Sequence, residues 1–199
     1  MTAADPPRSC GLRERKKART RAAIRQHALR LFREQGYSQT TVEQIAEAAE
    51  VSPSTFFRYF PAKEDVVLQD DFDPIAIAKF EALPPGMHPV AALRAAIRET
   101  FAEVPAWQIE QWRELTRLTM SVPELRARAL DEYLRSVRLA AELLAKRLGR
   151  DPGDFAIRTM AGAVVGIGLS AMVMGVEDPE ADVIALMDAG LARLEAMPL

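Results

Sequence analysis

The side chains able to make or break covalent bonds are few and scattered. His27 and His88 lie far apart, with no cysteine or second histidine near either, so no metal-ligand spacing is present. The single cysteine, Cys10, sits in a polar N-terminal stretch. No Ser/His/Asp arrangement, close carboxylate pair or glycine-rich phosphate loop appears, so the expectation is no catalytic residue, no metal and no cofactor. What is dense is recognition chemistry between Gln39 and Lys63, in QTTVEQIAEAAEVSPSTFFRYFPAK. The hydroxyls of Thr41, Ser52, Ser54 and Thr55, the rings of Phe57 and Tyr59 and the cations Arg58 and Lys63 crowd this stretch. Hydroxyls and cations bond phosphate oxygens and base edges, and an aromatic face packs on a thymine methyl.

The elements that must position these groups are legible. Thr41-x-x-Gln44 and Thr40-x-x-Glu43 both fit a capping box, so one threonine caps a first short helix. Val42, Ile45, Ala46 and Ala49 form its single apolar stripe. Ser52 caps a second helix, with Pro53 at the first position, where no amide is needed. Phe56 and Phe60, four apart, face inward, and Pro61 stops that helix and opens the next. Two helices of about two turns are too short to stand alone, so they must pack on a third element. This is the pattern of a helix-turn-helix whose second helix faces DNA.

Charge placement agrees. Residues 1–63 carry 12 Lys/Arg and 6 Asp/Glu, a net of +6; residues 64–199 carry 14 and 22, a net of −8. The net charge of −2 therefore hides a basic head and an acidic body, which points to a polyanion partner for the head or to a solvated basic helix. The lone cysteine and the absence of an apolar stretch near the start lead to the expectation of a cytoplasmic protein. Residues 159–176 are uncharged over 18 residues and include Gly162 and Gly166. That length admits a membrane span, and a small membrane-anchored helical protein is the alternative reading. Its four glycines and many alanines favour a buried core or subunit-interface helix, and no membrane partner is expected.

In chain order, residues 1–11 read as a disordered tail. One helix runs from Leu12 to Gln35, with Ile24, Ala28, Leu31 and Phe32 as its stripe and Gly36 as its stop. Its first half is rich in cations: Arg13, Arg15, Lys16, Lys17, Arg19, Arg21 and Arg25. The segment is expected to lie along phosphates or to place an arm in a minor groove, with Lys17 and Arg19 as its DNA-binding candidates. Residues 12–60 form the helix-turn-helix head, 61–89 a connecting helix and loop, and 90–199 a larger helical domain. The connecting helix is expected over Pro61–Leu83, kinked near Asp73-Pro74. Further helices are expected over 89–104, 105–120 and 123–148, one opened by Asp151-Pro152-Gly153-Asp154, and a last one opened by Asp178-Pro179-Glu180 and ending near Met197. The fold class is all-α, with about nine helices.

The arrangement Gly36-Tyr37, Thr40-Thr41-Val42, Ile45-Ala46, Val51-Ser52, Thr55-Phe56-Phe57-Arg58-Tyr59-Phe60 and Lys63-Glu64 closely resembles the TetR family of bacterial transcription regulators. The motif covers about residues 13–65. Pro123-Glu-Leu-Arg and Leu148-Gly-Arg-Asp resemble the actinobacterial-type group whose C-terminal domain binds acyl-CoA-like ligands. The resemblance implies a three-helix head, a larger domain with a ligand pocket, and a homodimer built on the last two helices. It also implies a repressor of a palindromic double-stranded DNA operator, released by a small-molecule effector. One position departs from the family pattern: the turn residue before Val51, often glycine, is Glu50. If it is left-handed, that costs on the order of 1 kcal/mol.

By that resemblance Thr41, Tyr59 and Lys63 match positions that touch the DNA backbone, Lys63 as a point charge. Thr41 also reads as a plain cap, and one hydroxyl can do both. Ser54, Thr55 and Phe57 sit where base edges are met; Arg58 reads guanine or, more in keeping with the commoner contact class, holds a phosphate. In the body, Phe101, Trp107, Trp112, Met120, Tyr133, Met160 and Met172 read either as pocket lining or as ordinary core. Arg113 and Arg117 meet an acidic ligand group or form a solvated face with Glu110 and Glu114. Gly162, Gly166, Ile184, Met187 and Leu191 are the expected dimer-interface residues.

Overall fold

The computed structural model describes residues 12–69, 72–178 and 180–196. The expected tail over 1–11, with Cys10, the side chains of Arg13 and Arg15, Pro179 and Met197 lie outside the described residues. Helices and turns, and no strand, make up the described residues. The chain divides into two compact units, 1–67 and 68–199.

In the first unit α1 (Leu12–Gln35), α2 (Val42–Ala48) and α3 (Pro53–Tyr59) are followed by a short α4 (Asp65–Leu68). Ile24, Ala28, Leu29 and Phe32 of α1 are buried with Ile45 of α2, Phe56 of α3 and Phe60. Leu29 replaces the expected Leu31, which is half-buried. The unit extends beyond residue 60 because Val66 and Val67 are buried with it and Arg25 Nε donates to the Val66 carbonyl at 3.1 Å. α4 opens at Asp65 rather than Pro61: Asp65 Oδ2 accepts the Ala62 N–H at 2.8 Å.

The helix expected over 61–83 is two helices, α4 and α5 (Asp73–Ala82). Pro74 has no N–H to give one turn back, so it sits in the opening turn of α5 and not inside a continuous helix. Then come α6 (Pro89–Ala102), α7 (Ala106–Ser121), α8 (Pro123–Leu148), α9 (Phe155–Glu177) and α10 (Val183–Glu195). α8 packs on α7 and α9, and α6 packs on α5 and α10. Ala141, Leu144 and Ala145 of α8 bury Ile157 and Ala161 of α9.

Local chemistry sets the ends. Asp154 caps α9, its carboxylate accepting the Ala156 N–H at 2.9 Å. α10 is capped by Asp182, which accepts from Ile184 and Ala185 at 3.1 and 3.0 Å. The expected opening at Asp178 is instead a turn, Asp178 Oδ1 accepting from Glu180 at 3.0 Å. Arg147 clamps the α5–α6 connection: Nε donates to Met87 O at 3.2 Å, one Nη to Phe80 O at 3.3 Å and the other to Pro84 O. Arg94 of α6 binds Asp188 of α10 through two N–H donors (3.0 and 2.9 Å) and Glu195 at 2.6 Å. The Asp188 carboxyl is held below the usual carboxylate range, first by its hydrogen bond from Arg94.

Candidate nucleic-acid interface

Thr41, not Thr40, caps α2. Its Oγ1 accepts the Gln44 N–H at 3.2 Å, and Gln44 Oε1 accepts the Thr41 N–H at 2.9 Å, completing the capping box. Thr40 is buried and donates to Gly36 O at 2.8 Å. The exposed Thr41 hydroxyl accepts within the cap, and capping does not use its proton. Gln35 Nε2 donates both to Thr40 Oγ1 (3.1 Å) and to Gln44 Oε1 (2.9 Å), tying the end of α1 to the start of α2.

The turn between α2 and α3 is a Schellman motif. Val51 N donates to Ala46 O at 2.9 Å and Glu50 N to Glu47 O at 3.0 Å. Glu50 has φ +54°, so the position where this chain departs from the family's glycine is left-handed. At the start of α3, Ser52 Oγ accepts the Thr55 N–H at 3.1 Å, donates to Thr55 Oγ1 at 3.0 Å and pairs with Ser54 Oγ at 2.9 Å. Phe56 is fully buried; Phe57, one residue round the helix, is 50% exposed and meets Phe56 edge-on at 5.5 Å. Arg58 is exposed, with its guanidinium 5.5 Å from the ring centre of the half-buried Tyr59. One surface of α3 thus offers hydroxyls, an aromatic face and a cation, while its buried Phe56 fixes the helix from behind.

Lys63 is oriented inward. Its Nζ donates to Tyr37 O and Thr40 O, both at 3.0 Å, and lies 4.1 Å from the Tyr37 ring centre. Tyr37 is buried, lies 5.1 Å from Phe32 and donates its hydroxyl to Glu64 Oε1 at 3.1 Å. On α1, Lys16, Lys17 and Arg19 are exposed. Arg25, one of the cations expected along phosphates, is instead buried, with its guanidinium 5.7 Å from the Phe60 ring centre. Its position beside Ile24 and three before Ala28 places it on the buried stripe, a signal the sequence offered.

In the second unit the ring candidates separate. Phe101 meets Trp112 at 6.1 Å and Phe72 at 5.1 Å. Met160 packs on the α8/α9 cluster, and a Cβ at Gly166 would lie 3.9 Å from Tyr133 Oη. Met120 and Met172 are half-buried. Trp107 is 62% exposed and does not join the ring cluster. Arg113 and Arg117 lie 3.9 and 3.5 Å from Glu110, but both are half-buried and Arg113 also donates to Ala181 O at 3.3 Å, so the pair is not a plainly solvated face.

The dimer-interface candidates separate as well. Leu191 is 1% exposed, its side chain spent inside the unit, so it has no surface to give a partner. Ile184 and Met187 are half-buried. Gly175 and Gly190, not Gly162 and Gly166, bring α9 and α10 close within the chain: a Cβ at Gly190 would fall 2.5 Å from Ile167 Cγ2, and one at Gly175 would collide with Val183. A Cβ at Gly162 would meet nothing within 4 Å.

Residues 24–69 match the family described as bacterial regulatory proteins, tetR family, and residues 87–198 match the family described as MftR C-terminal domain. The chain belongs to the TetR family of transcription regulators. Among its TetR relatives, the HTH-type transcriptional regulator TcmR of Streptomyces glaucescens is 38% identical over 174 residues, covering 81% of this chain and 75% of that one. The putative mycofactocin biosynthesis transcriptional regulator MftR of Mycobacterium tuberculosis is 28% identical over 160 residues, covering 79% and 80%. Among solved structures, Thermus thermophilus FadR, a TetR-family repressor in complex with lauroyl-CoA, superimposes with a TM-score of 0.56 at 29% identity, covering 90% of this chain and 95% of that one. The protein is therefore a TetR-type DNA-binding transcription regulator and not an enzyme. Membership of this family leaves the membrane-spanning reading of 159–176 without support.

Proposed function

We propose that the protein is a dimeric repressor that binds a palindromic operator and is released by a small-molecule effector with an apolar acyl chain, of the acyl-CoA type. The observation that carries the DNA-facing part is the exposed face of α3. There Ser54, Phe57 and Arg58 stand outward over a fully buried Phe56. Exposing a ring of that size is unfavourable unless a partner covers it. In this reading Ser54, Thr55 and Phe57 meet base edges, Arg58, Tyr59 and Thr41 meet phosphates, Ser52 sets the helix they stand on, and Lys17 and Arg19 follow the backbone.

The dimer is supported by α9. Only 22% of its most apolar stretch is buried within the chain, and Phe155 is 84% exposed. A second copy covering Phe155, Gly162 and Leu169, with Ile184 and Met187 of α10 at its edge, would remove that surface from water. Two heads would then reach successive major grooves, about 34–36 Å apart. The effector class is supported by the ring cluster of Phe72, Phe101 and Trp112, and by the lauroyl-CoA held in the FadR structure.

The test uses duplexes selected from a random pool by the full chain. The expected result is an inverted repeat, a complex of two chains per duplex, and release by micromolar lauroyl-CoA with a raised melting temperature of the free protein. A 22.0 kDa particle in light scattering at micromolar concentration would overturn the dimer. An unchanged melting temperature with saturating lauroyl-CoA would overturn the effector class. Transcription from a promoter carrying the selected site should fall when the protein is added; a rise would overturn repression.

A further inference from the structure

We propose that Arg25 is a positioning residue that locks α4 to the DNA-facing helix α3, so that a displacement of the connection is passed to the surface that meets DNA. The inference rests on the reading of the protein as an effector-released DNA binder. Arg25 sits on the buried stripe of α1, beside Ile24, and is 6% exposed. Withdrawing a guanidinium from water is costly unless the interior gives it partners. Arg25 finds them on two elements at once. Its Nε donates to Val66 O of α4 at 3.1 Å. Its guanidinium carbon lies 5.7 Å from the Phe60 ring centre, within reach of a cation–π contact, and that of Arg21, one turn back on α1, lies 5.0 Å from the same ring.

Phe60 is the C-terminal cap of α3. Its ring is fully buried and meets Phe56 at 5.9 Å, and Phe56 is the side chain that fixes α3 from behind. A continuous line of contacts therefore runs from Val66 through Arg25 and Phe60 to Phe56. α4 has only four residues, too few to hold its place by backbone bonds alone, and it leads on through Leu68 to the second unit. Burial of Val66 and Val67 keeps α4 against the head, but apolar burial is non-directional and permits sliding. A hydrogen bond from a charged donor adds a fixed direction and distance. The core of the head is apolar apart from Arg25: Ala28, Phe32, Ile45 and Phe56 are buried without it. Arg25 is thus specific to the junction, and its burial keeps it off the DNA surface.

The variant is Arg25→Met in the full-length chain, which keeps an aliphatic stem and removes the guanidinium. Amide hydrogen exchange is followed in the protein without DNA. The reporters are Val66 and Val67, whose amides bond Lys63 O and Glu64 O, and Ile45 and Phe56 in the core of the head. The expected result is exchange about tenfold faster at Val66 and Val67, with Ile45 and Phe56 within about threefold of the wild type. Equal acceleration at all four would make Arg25 a plain core residue and overturns the proposal; so does wild-type exchange at Val66 and Val67. Binding is then measured against a duplex selected by the wild type, with and without saturating lauroyl-CoA. Affinity without ligand should stay within about threefold of the wild type, while the weakening caused by lauroyl-CoA should fall to less than about a third of its wild-type factor. Unchanged weakening overturns the proposal. Should circular dichroism show Arg25→Met unfolded, Arg25→Lys is read instead. Lysine keeps the charge but has neither the Nε donor nor a planar face for Phe60, so the same split in exchange is expected. Wild-type exchange at Val66 and Val67, or a second unfolded protein, overturns the proposal. If lauroyl-CoA did not release the wild type, the effector reading would fail, while the exchange measurement would still decide whether Arg25 locks α4 to the head.

Discussion

Glu50→Gly should stabilise the head. Glu50 ends α2 at φ +54°, a region where an L side chain brings its Cβ against the following carbonyl at a cost of about 1–2 kcal/mol. Glycine removes that clash. It also gives up more chain entropy on folding, about 0.5–1 kcal/mol. The difference is a gain of about 0.5–1 kcal/mol. Both Schellman bonds are made by backbone N–H groups, Glu50 to Glu47 and Val51 to Ala46, so the variant retains them. Tryptophan fluorescence would miss the effect, because Trp107 and Trp112 both lie in the second unit. The assay is native-state hydrogen exchange at Ile45, Phe56 and Phe60, whose amides bond Thr41, Ser52 and Phe56 carbonyls within the head. The opening constant there should fall about twofold to fivefold. Glu50→Ala separates the causes: alanine keeps the Cβ, so it should gain almost nothing. An unchanged or larger opening constant in Glu50→Gly would refute the strain argument. Equal gains from alanine and glycine would shift the cause to the carboxylate.

Further outcomes follow from the second unit. Arg94→Ala should destabilise it by about 2 kcal/mol, since charge-assisted hydrogen bonds to Asp188 and Glu195 are lost. Because the folded Asp188 carboxyl titrates below its ordinary value, its contribution is full above about pH 4 and is lost as pH falls through the lowered value. Acid unfolding of Arg94→Ala should therefore begin at higher pH than in the wild type, and coincident curves would count against the pairing. Gly190→Ala should cost about 1–3 kcal/mol by driving a methyl into Ile167, read as a lower midpoint in urea. A Cβ at Gly162 would meet nothing within 4 Å, so Gly162→Leu should leave the fold intact and weaken self-association in sedimentation. Arg147→Lys should lose about 1–3 kcal/mol, because a single ammonium cannot serve Phe80, Pro84 and Met87 carbonyls together.

Most of the secondary structure can be read from short stretches of chain. Ser52-Pro53, Asp154 and Gly36 act on backbone groups within a turn or so of themselves, and the caps and stop they promised are present. The left-handed Glu50 belongs to the same class, since a Schellman turn involves only residues 46–51. Where two local signals competed, neighbours further away chose between them. Asp182 and not Asp178 opens α10, and Thr41 and not Thr40 caps α2 because Thr40 turns to Gly36 and Gln35. The candidate site was legible in its α3 half, where a buried Phe56 forces its neighbours Phe57 and Arg58 outward.

Long side chains and helix contacts were not legible in the same way. Periodicity marks which face of a helix is covered, not what covers it. Arg25 and Lys63 have stems long enough to reach carbonyls 41 and 23 residues away in sequence, partners that a cationic residue type does not name. Gly162 and Gly190 are identical as residues; only the packing of α9 against α10 puts Ile167 beside one and nothing beside the other. Leu191 was an apolar residue on a promising helix until that packing enclosed it. Local backbone chemistry thus accounts for the elements and their ends. The partners of each charge and of each small residue come from contacts made across the chain, where distance along the sequence carries no information about distance in space.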